Sequence, residues 1–340
     1  MISSRPIGFF CGLMPLCEPQ PFSKARGEKG RRIKIKVNEM FEQIEFIGTH
    51  DIASISPLSK GWSKDKKFIL EGSNGDRFLL RISDRALYDK KERQFKLLTK
   101  LEGMGVCCSR PIEFGIAGDG SVYTVLSYLD GTDGTEAVPA MSDGEAYRLG
   151  LEAGEVLHRL HGLIIPRQNV SWWESYRKKM PKKIDALLSC GYRLPIQDEI
   201  ISYYEDNCFL MENRPLVFAH GDYHLGNMIV KDGRIGIIDF DKCGTADPYD
   251  DFKPFCWNVI CSEYFETGLI NGYFDNHVPD DFFRILKFYT AESLISHIPW
   301  AVTFGEEEIK TAQRIAEYQM LWYDGFSLEI PTWYKSGIDL

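Results

Sequence analysis

Two aspartates and an asparagine in the second half of the chain have the types and spacing needed for phosphoryl transfer. The segment 220–227 reads H-G-D-Y-H-L-G-N, so that Asp222 precedes Asn227 by five residues. Asp239 follows an apolar stretch, in the sequence I-I-D-F-D. Carboxylate and amide oxygens are the ligands that Mg²⁺ prefers, and a nearby carboxylate can accept the proton of an incoming hydroxyl. A metal that neutralises charge and a carboxylate that orients the nucleophile are the main requirements of this chemistry.

A short β-hairpin is predicted between Asn227 and Asp239. The segment 231–234 reads K-D-G-R, and Asp-Gly between two apolar runs is a strong hairpin signal. If the turn centres on Asp-Gly, Asn227 at the start of one strand lies beside Ile238 and Asp239 at the end of the other. We therefore expect an amide oxygen and a carboxylate to converge on one metal ion, with Asp222 one loop away.

The segment 220–227, together with Ile238-Asp239-Phe240-Asp241, resembles the aminoglycoside phosphotransferase family, which has the two-lobed protein-kinase-like fold. In that family the loop reads H-G-D-x-x-x-x-N, and the metal carboxylate lies in an I-D-[FW]-[DE] segment where protein kinases have D-F-G. The resemblance covers residues 45–335. It implies that Asp222 is the catalytic aspartate, that Asn227 and Asp239 bind Mg²⁺, and that ATP or GTP is the phosphoryl donor.

Two residues near this loop are predicted to support it. The segment 247–251 reads D-P-Y-D-D and looks like the family's D-P-x-x-D, in which the last aspartate, here Asp251, buttresses the catalytic loop. His220 is interpreted as a packed histidine that bridges backbone groups of the loop.

In the first half of the chain, Arg81 occupies the place of the strand lysine that contacts the nucleotide phosphates in protein kinases. It lies in the strand-like sequence L-L-R-I, and an arginine can bind phosphate bidentately. Its partner on the following helix should be an acid. Glu92 fits best, with Asp89 as the reserve.

Two other segments are predicted to contact the nucleotide. The segment 59–63 reads S-K-G-W-S, and its backbone amides with the hydroxyls of Ser59 and Ser63 around Gly61 could cradle phosphates. The segment from Ser127 to Leu129 is the expected hinge strand, whose backbone would bind the purine.

The order of the elements predicts an α+β fold with two lobes. A hairpin with the turn S-N-G-D is predicted over 68–82, followed by a helix over 87–104 and a strand over 122–129, and we assign 40–128 to the small nucleotide-binding lobe. Helices over 145–162, 172–190 and 197–212, and aromatic-rich helices beyond 250, assign 129–340 to a mostly helical catalytic lobe. Residues 1–39 are interpreted as a disordered tail, or as translated upstream sequence with the true start near Val37 or Met40.

The composition excludes several classes of protein. Residues 1–39 hold eight Lys and Arg against three Asp and Glu, so residues 40–340 carry a net charge of −14, which argues against a nucleic-acid partner. No apolar run reaches the roughly 18 residues of a membrane span. The cysteine count is odd, at 9, and reduced thiols in a cytoplasmic protein are the simplest interpretation.

The acidic balance favours a cationic small-molecule acceptor, such as an aminoglycoside or a similar antibiotic. Glu263, Glu266 and Glu292 lie among aromatic residues of the large lobe, and carboxylates beside aromatic faces suit an ammonium-bearing sugar. These three glutamates are the predicted acceptor-binding residues.

Three alternatives remain open from the sequence. A kinase of the same fold could act on choline, homoserine or a sugar. A metal-dependent hydrolase could use His220, Asp222 and His224 as ligands, because His-x-Asp-x-His on an extended segment places three ligands on one face. A nucleotide-binding module without catalysis would keep only the donor site.

Overall fold

The computed structural model describes residues 41, 43–58, 65–164 and 171–338. The predicted phosphate loop with Ser59, Gly61 and Ser63 lies outside the described residues, as does the segment 1–39. An antiparallel sheet with its helices forms a small lobe and a mainly helical region forms a large one, which confirms the predicted two-lobed α+β fold. Among the helices of the described ranges, none combines the length and the apolar character needed to cross a membrane.

The small lobe is built on a five-stranded antiparallel sheet. Its strands are β1 (Ile52–Pro57), β2 (Lys66–Gly72), β3 (Arg77–Ser83), β4 (Pro111–Ile116) and β5 (Val122–Ser127). They are hydrogen-bonded in the order β1-β2-β3-β5-β4. β2 and β3 form the hairpin that the sequence predicted, with Gly75 in the turn at a φ of +90°, a value that glycine adopts without strain. The described residues of the lobe also form the helices α1 (Glu45–Thr49) and α2 (Tyr88–Gly103).

The alternation along β3 separates the core of the small lobe from its functional face. Leu80 and Ile82 are buried in a core that also contains Leu70 and Val125. Because successive side chains of a strand point to opposite faces, Arg81 lies on the other side of the sheet. The strand thus anchors itself with two apolar residues and presents the arginine between them.

The large lobe is mainly helical and contains most of the aromatic core. The predicted helices over 145–162 and 172–190 are confirmed within two residues at each end, whereas the helix predicted over 197–212 ends earlier, at Asp206. The helices are α3 (Gly134–Ala137), α4 (Asp143–His161), α5 (Trp172–Ser189), α6 (Gln197–Asp206), α7 (Phe255–Cys261), α8 (Glu263–Tyr273), α9 (Phe282–Val302) and α10 (Glu306–Trp322).

Close packing of α4 against α8 forms the centre of the large lobe. Gly150 and Gly154 on α4 face Gly268 and Gly272 on α8, so the two backbones approach each other directly. A Cβ atom on Gly150 would lie 2.1 Å from the carbonyl oxygen of Phe265, a separation that no side chain tolerates. These glycines bring α8 with its buried face onto the helix that supports the catalytic loop.

Two small sheets hold the segments that carry the candidate site. β6 (Thr132–Asp133), β8 (Met228–Lys231) and β9 (Arg234–Ile237) form one, and β7 (Val217–Ala219) pairs with β10 (Gly244–Ala246) in the other. β8 and β9 form the predicted hairpin, with Asp232 and Gly233 at positive φ in the turn. The loop with Asp222 follows the end of β7, and Asp239 follows the end of β9. A hydrogen bond between His220 and Ile238 holds these two segments side by side.

Candidate active site

Asp251 holds the backbone of the loop that carries Asp222. Its carboxylate accepts hydrogen bonds from the backbone N–H groups of His220, at 2.7 Å, and of Gly221, at 2.6 Å. The Asp251 side chain is fully buried, and the Nε2 atom of His161 lies 3.1 Å from it. These are the contacts expected of the loop-supporting aspartate, because a buried carboxylate is stable only when donors surround it.

His220 is a structural residue of the loop. Its Nε2 atom donates to the carbonyl oxygen of Ile238 at 3.1 Å, and its fully buried ring packs against Phe240. Burial lowers the pKa of His220, so the ring is neutral. The hydrolase interpretation, in which His220 would bind a metal with Asp222 and His224, is wrong because the Nε2 atom of His220 is bonded to Ile238 and the whole ring is buried. In the ranges that the structure describes, no group of three or more His, Cys, Asp or Glu side chains is arranged to hold a metal ion.

Asp222 lies in a partly exposed position with cationic and amide neighbours. Its Oδ2 atom accepts from the Nζ atom of Lys242 at 3.0 Å and from the Nδ2 atom of Asn227 at 3.1 Å. The Nε2 atom of His224 lies 3.7 Å from its Oδ1 atom. Burial alone would raise the pKa of Asp222, but the neighbouring His224 and the ammonium group of Lys242 hold it well below the usual range. Asp222 is thus a carboxylate at neutral pH, as a proton acceptor must be.

Gly221 allows the catalytic loop to approach the segment after β9. Its φ is +81°, and a Cβ atom there would lie 2.5 Å from the carbonyl oxygen of Lys242. Both the backbone conformation and the space exclude a side chain at this position. The glycine therefore brings Lys242 within reach of Asp222.

Asn227 and Asp239 meet at the open end of the β8–β9 hairpin, as the sequence predicted. The N–H group of Ile238 donates to the carbonyl oxygen of Asn227 at 3.0 Å. Asp239 has a φ of +63°, a left-handed conformation that aspartate tolerates better than most residues. Within the described residues, its Oδ1 atom is buried without a hydrogen-bond partner. A buried carboxylate oxygen left unpaired, on a segment whose backbone is bonded to Asn227, fits a divalent cation with a preference for oxygen ligands.

The predicted ion pair between Arg81 and Glu92 is wrong. Arg81 instead contacts Asp65, with its Nη2 atom 2.7 Å from Oδ2, and also forms an ion pair with Asp241. Glu92 points away and pairs with Lys96 one turn along α2 at 2.9 Å. The side chains of a helix at consecutive positions point in different directions, and Glu92 lies on the outer side of α2.

Two residues of α2 that the sequence reasoning missed reach this charge cluster. The Nζ atom of Lys91 lies 3.2 Å from Oδ1 of Asp241, and the Nε2 atom of Gln94 donates to the same oxygen at 3.1 Å. Lys91, Leu98 and Leu101 form the buried stripe of the helix. Extending the apolar stripe of Leu98 and Leu101 toward the start of the helix, by steps of three and four residues, would have identified Gln94 and Lys91.

Among the N–H groups of the predicted hinge residues, that of Leu129 is left for a purine. The N–H group of Ser127 donates to the carbonyl oxygen of Arg110 at 2.9 Å, and that of Tyr128 donates to Arg77 at 3.1 Å. Both are occupied by pairing within the small lobe. The expectation of a purine contact therefore rests on Leu129, at which the chain passes from the sheet to the large lobe.

Glu266 is not available to an acceptor, and its predicted role is wrong. Its side chain is buried and accepts a hydrogen bond from the Nδ2 atom of Asn258 at 2.7 Å. The Oδ1 atom of Asn258 in turn accepts from the backbone N–H of Leu225 at 2.8 Å. Burial raises the pKa of Glu266 well above its ordinary value, against the effect of the Asn258 hydrogen bond. Glu266 is therefore a second buried support of the catalytic loop.

Glu292 is also buried, which corrects its predicted role, whereas Glu263 remains accessible. Glu292 accepts hydrogen bonds from Tyr176 and Lys183, and the network of buried partners satisfies its charge. Glu263 is 41% exposed and lies 2.5 Å from the Nζ atom of Lys335. Among the three predicted acceptor-binding acids, only the role of Glu263 stays a prediction.

The chain matches a family of phosphoryl-transferring enzymes. Residues 54–280 match the model of the phosphotransferase enzyme family, abbreviated APH. The matched range is more than half of the chain. It contains the catalytic loop, the β8–β9 hairpin and the buttressing Asp251.

Curated relatives match over a shorter stretch. The chain is 38% identical over 71 residues to an aminoglycoside 3′-phosphotransferase of Staphylococcus aureus, and to the same extent to one of Enterococcus faecalis. The stretch covers 20% of this chain and 27% and 26% of the two relatives. The chain thus spans about a quarter of the length of the curated relatives it matches.

Solved structures share the whole architecture at low identity. A mutant of aminoglycoside 2′-phosphotransferase-IIIa with GDP is 16% identical with a TM-score of 0.66, covering 83% of this chain and 96% of that one. An APH(2″) enzyme with GDP and kanamycin is 17% identical with a TM-score of 0.65, covering 82% and 96%. A streptomycin–ATP–APH(2″) complex is 17% identical with a TM-score of 0.58, covering 82% and 93%. At such identities the likeness establishes the kinase-like fold.

Proposed function

The chain belongs to the phosphotransferase enzyme family, and we propose that it transfers the γ-phosphoryl group of ATP or GTP to a hydroxyl of an aminoglycoside or a similar cationic antibiotic. One observation carries the proposal. The ionised Asp222 lies one loop away from Asn227 and from the buried, unpaired oxygen of Asp239, so a proton acceptor and a candidate Mg²⁺ site are adjacent. The donor nucleotide is a cytoplasmic metabolite, and the proposal assigns the reaction to the cytoplasm.

Asp222 is proposed to orient the acceptor hydroxyl and to receive its proton. The transition state of phosphoryl transfer is loose, so alignment of the nucleophile contributes more than strong basicity. The low pKa of Asp222 agrees with a role in alignment more than in strong basicity, because its neighbours His224 and Lys242 keep the carboxylate ionised. Asn227 also donates to the backbone carbonyl of Asp222 at 2.9 Å, which ties the base to the candidate metal site.

Asn227 and Asp239 are proposed to hold Mg²⁺, which would neutralise charge on the nucleotide phosphates when bound. Arg81 is proposed to bind the same phosphates from the small lobe. Its guanidinium lies in an ion pair with Asp241, two residues after Asp239, so the small lobe contacts the metal-binding segment directly.

A cationic acceptor is supported by two observations of different kinds. Residues 40–340 carry a net charge of −14, which attracts a polyamine-like substrate at low ionic strength. Two of the three similar structures described above are complexes with kanamycin or streptomycin, both aminoglycosides. The acceptor class rests on these two observations and on Glu263.

A metabolite kinase is the second candidate. Glu266 and Glu292 accept hydrogen bonds from Asn258 and Lys183 within the protein, so they are not available to a substrate. An acceptor site with fewer available acids suits a substrate with fewer amines, which favours this candidate. Both candidates keep the same donor site and the same role for Asp222.

Release of nucleoside diphosphate tests the proposal. Purified protein is incubated with Mg²⁺ and ATP or GTP in the presence of aminoglycosides, choline, homoserine or sugars, with Asp222→Asn as the inactive control. Release that depends on an aminoglycoside and is absent from the variant supports the first candidate. Release that depends on a neutral or monoamine acceptor supports the second candidate. If none of the acceptors in the panel causes release, both candidates are contradicted.

A further inference from the structure

We propose that Lys91 is a second phosphate-binding cation, which contacts the donor nucleotide together with Arg81. The inference rests on the proposed function, because it takes a nucleoside triphosphate as the ligand of this site. It assigns to the helix after β3 a positive charge, where the sequence led us to expect the acid Glu92.

Lys91 is buried to an extent that is unusual for a lysine. It is 6% exposed, although lysines are almost never buried without a partner. It lies on the inward stripe of α2 with Leu98 and Leu101, so its position is set by the packing of the helix. Removing an ammonium group from water is costly. A charge without a function at this position could stay exposed to solvent and avoid that cost.

The partners of Lys91 place it beside the candidate metal site. Its Nζ atom lies 2.7 Å from Oδ2 of Asp65 and 3.2 Å from Oδ1 of Asp241. Asp241 follows Asp239 by two residues, and Arg81 pairs with the same two carboxylates. Lys91 and Arg81 thus belong to one buried cluster with Asp65 and Asp241, close along the chain to the predicted Mg²⁺ ligand Asp239.

The two cations have donors left for a phosphate. An ammonium group carries three N–H donors and a guanidinium carries five. The hydrogen bonds of Lys91 to Asp65 and Asp241 use two of its donors, and those of Arg81 come from its Nε and Nη2 atoms. Phosphate oxygens can therefore join the cluster while the carboxylates keep both side chains in place. The phosphates are the strongly anionic groups that the proposed reaction brings to this side of the site.

A structural role for Lys91 makes a different prediction. If it only ties Asp241 to α2, its loss weakens every ligand of the site alike. A direct contact with phosphate weakens ligands according to the number of phosphates they carry.

The test measures this dependence on phosphate number. We would determine the affinities of the wild type and of Lys91→Met for a nucleoside, its monophosphate, diphosphate and triphosphate by calorimetry, with and without Mg²⁺. A charge-assisted hydrogen bond corresponds to about a tenfold to hundredfold change in affinity. We expect a loss of at least about tenfold for the triphosphate and less than about twofold for the nucleoside.

Two further variants keep the test decisive. Lys96→Met removes an exposed cation from the same helix, with a side chain that is 65% exposed, and should bind all four ligands as the wild type does. If Lys91→Met fails to fold, Lys91→Met is combined with Asp65→Asn, which also neutralises one of the two carboxylates that Lys91 contacts, and the same affinity series is measured on it.

The outcomes separate this inference from the proposed function. Equal losses for the nucleoside and the triphosphate, or no loss for either, would overturn the role of Lys91 while leaving the proposed function in place. A wild type that binds no nucleotide would overturn both.

Discussion

The ammonium group of Lys242 lies 3.0 Å from the Oδ2 atom of Asp222. Lys242 ends the short helical turn that begins at Phe240, directly after the candidate metal ligand Asp239. The contact therefore links the segment of the candidate metal ligand to the loop that carries Asp222, and it helps to keep Asp222 ionised.

Replacing Lys242 should have a modest effect on the reaction. Its side chain is 66% exposed, and exposed ion pairs contribute little, while Asn227 still holds the carboxylate. We expect Lys242→Met to lower kcat by about threefold to tenfold and Lys242→Arg to restore most of it. Lys310→Met, which removes an exposed lysine paired with Glu307, serves as the control. A loss as large as that of Asp222→Asn would show that Lys242 acts on the reacting groups themselves.

Replacing Asp222 should stop the reaction without unfolding the protein. Asp222→Asn keeps the shape of the side chain and removes the proton acceptor, so kcat should fall by a factor on the order of 10² or more. Nucleotide affinity and melting temperature should stay close to those of the wild type, because Asp251 holds the loop through its backbone. Near-normal turnover would remove Asp222 from the mechanism.

Replacing Asp239 should remove the dependence of nucleotide binding on Mg²⁺. In the wild type we expect Mg²⁺ to increase the affinity for ATP or GTP by at least about tenfold, since the ion bridges phosphate and protein oxygens. Asp239→Ala should bind nucleotide with the same low affinity whether or not Mg²⁺ is present, and Asn227→Ala should show an intermediate response. A titration of the wild type with and without Mg²⁺ that gives equal affinities would refute the assignment.

The sequence predicted the part of the site that is local along the chain. Asp222, Asn227 and Asp239 belong to one loop and one hairpin, and the turn residues Asp232-Gly233 fix how the two strands meet. The partners of Arg81 were missed for two different reasons. Asp65 precedes β2 and reaches Arg81 through the register of the β2–β3 hairpin, which the sequence analysis did not use. Asp241 is 160 residues from Arg81, and only the packing of the two lobes brings it close.

The acceptor-binding acids show a second limit. Glu266 was predicted to bind the acceptor because acids are usually accessible, yet most residues of α8 are buried. The signal was present in Gly268 and Gly272, whose spacing matches that of Gly150 and Gly154 on α4. Glycines at such spacing on two helices indicate direct backbone contact, and they would have shown that this region of α8 faces the core.

Glu266 gives the protein a pH dependence that an isosteric amide should remove. Its pKa is raised by burial above the ordinary value of 4.5, so the folded protein binds this proton more tightly than the unfolded chain does. The tighter binding of this proton adds to the free energy of unfolding at low pH. That contribution is lost as the pH rises above the ordinary pKa of a glutamate. Glu266→Gln keeps an oxygen that accepts from Asn258, and it needs no proton to be neutral.

We therefore expect the melting temperature of Glu266→Gln, measured relative to that of the wild type at the same pH, to increase by about a few degrees in total between pH 5 and pH 8. Activity should change little, because Asn258 keeps its bond to the backbone of Leu225. Glu263→Gln is the matched control on the same helix, since Glu263 is 41% exposed and paired with Lys335, and its difference from the wild type should not vary in this way. A difference between Glu266→Gln and the wild type that is constant from pH 5 to 8 would show that Glu266 is ionised in the folded protein.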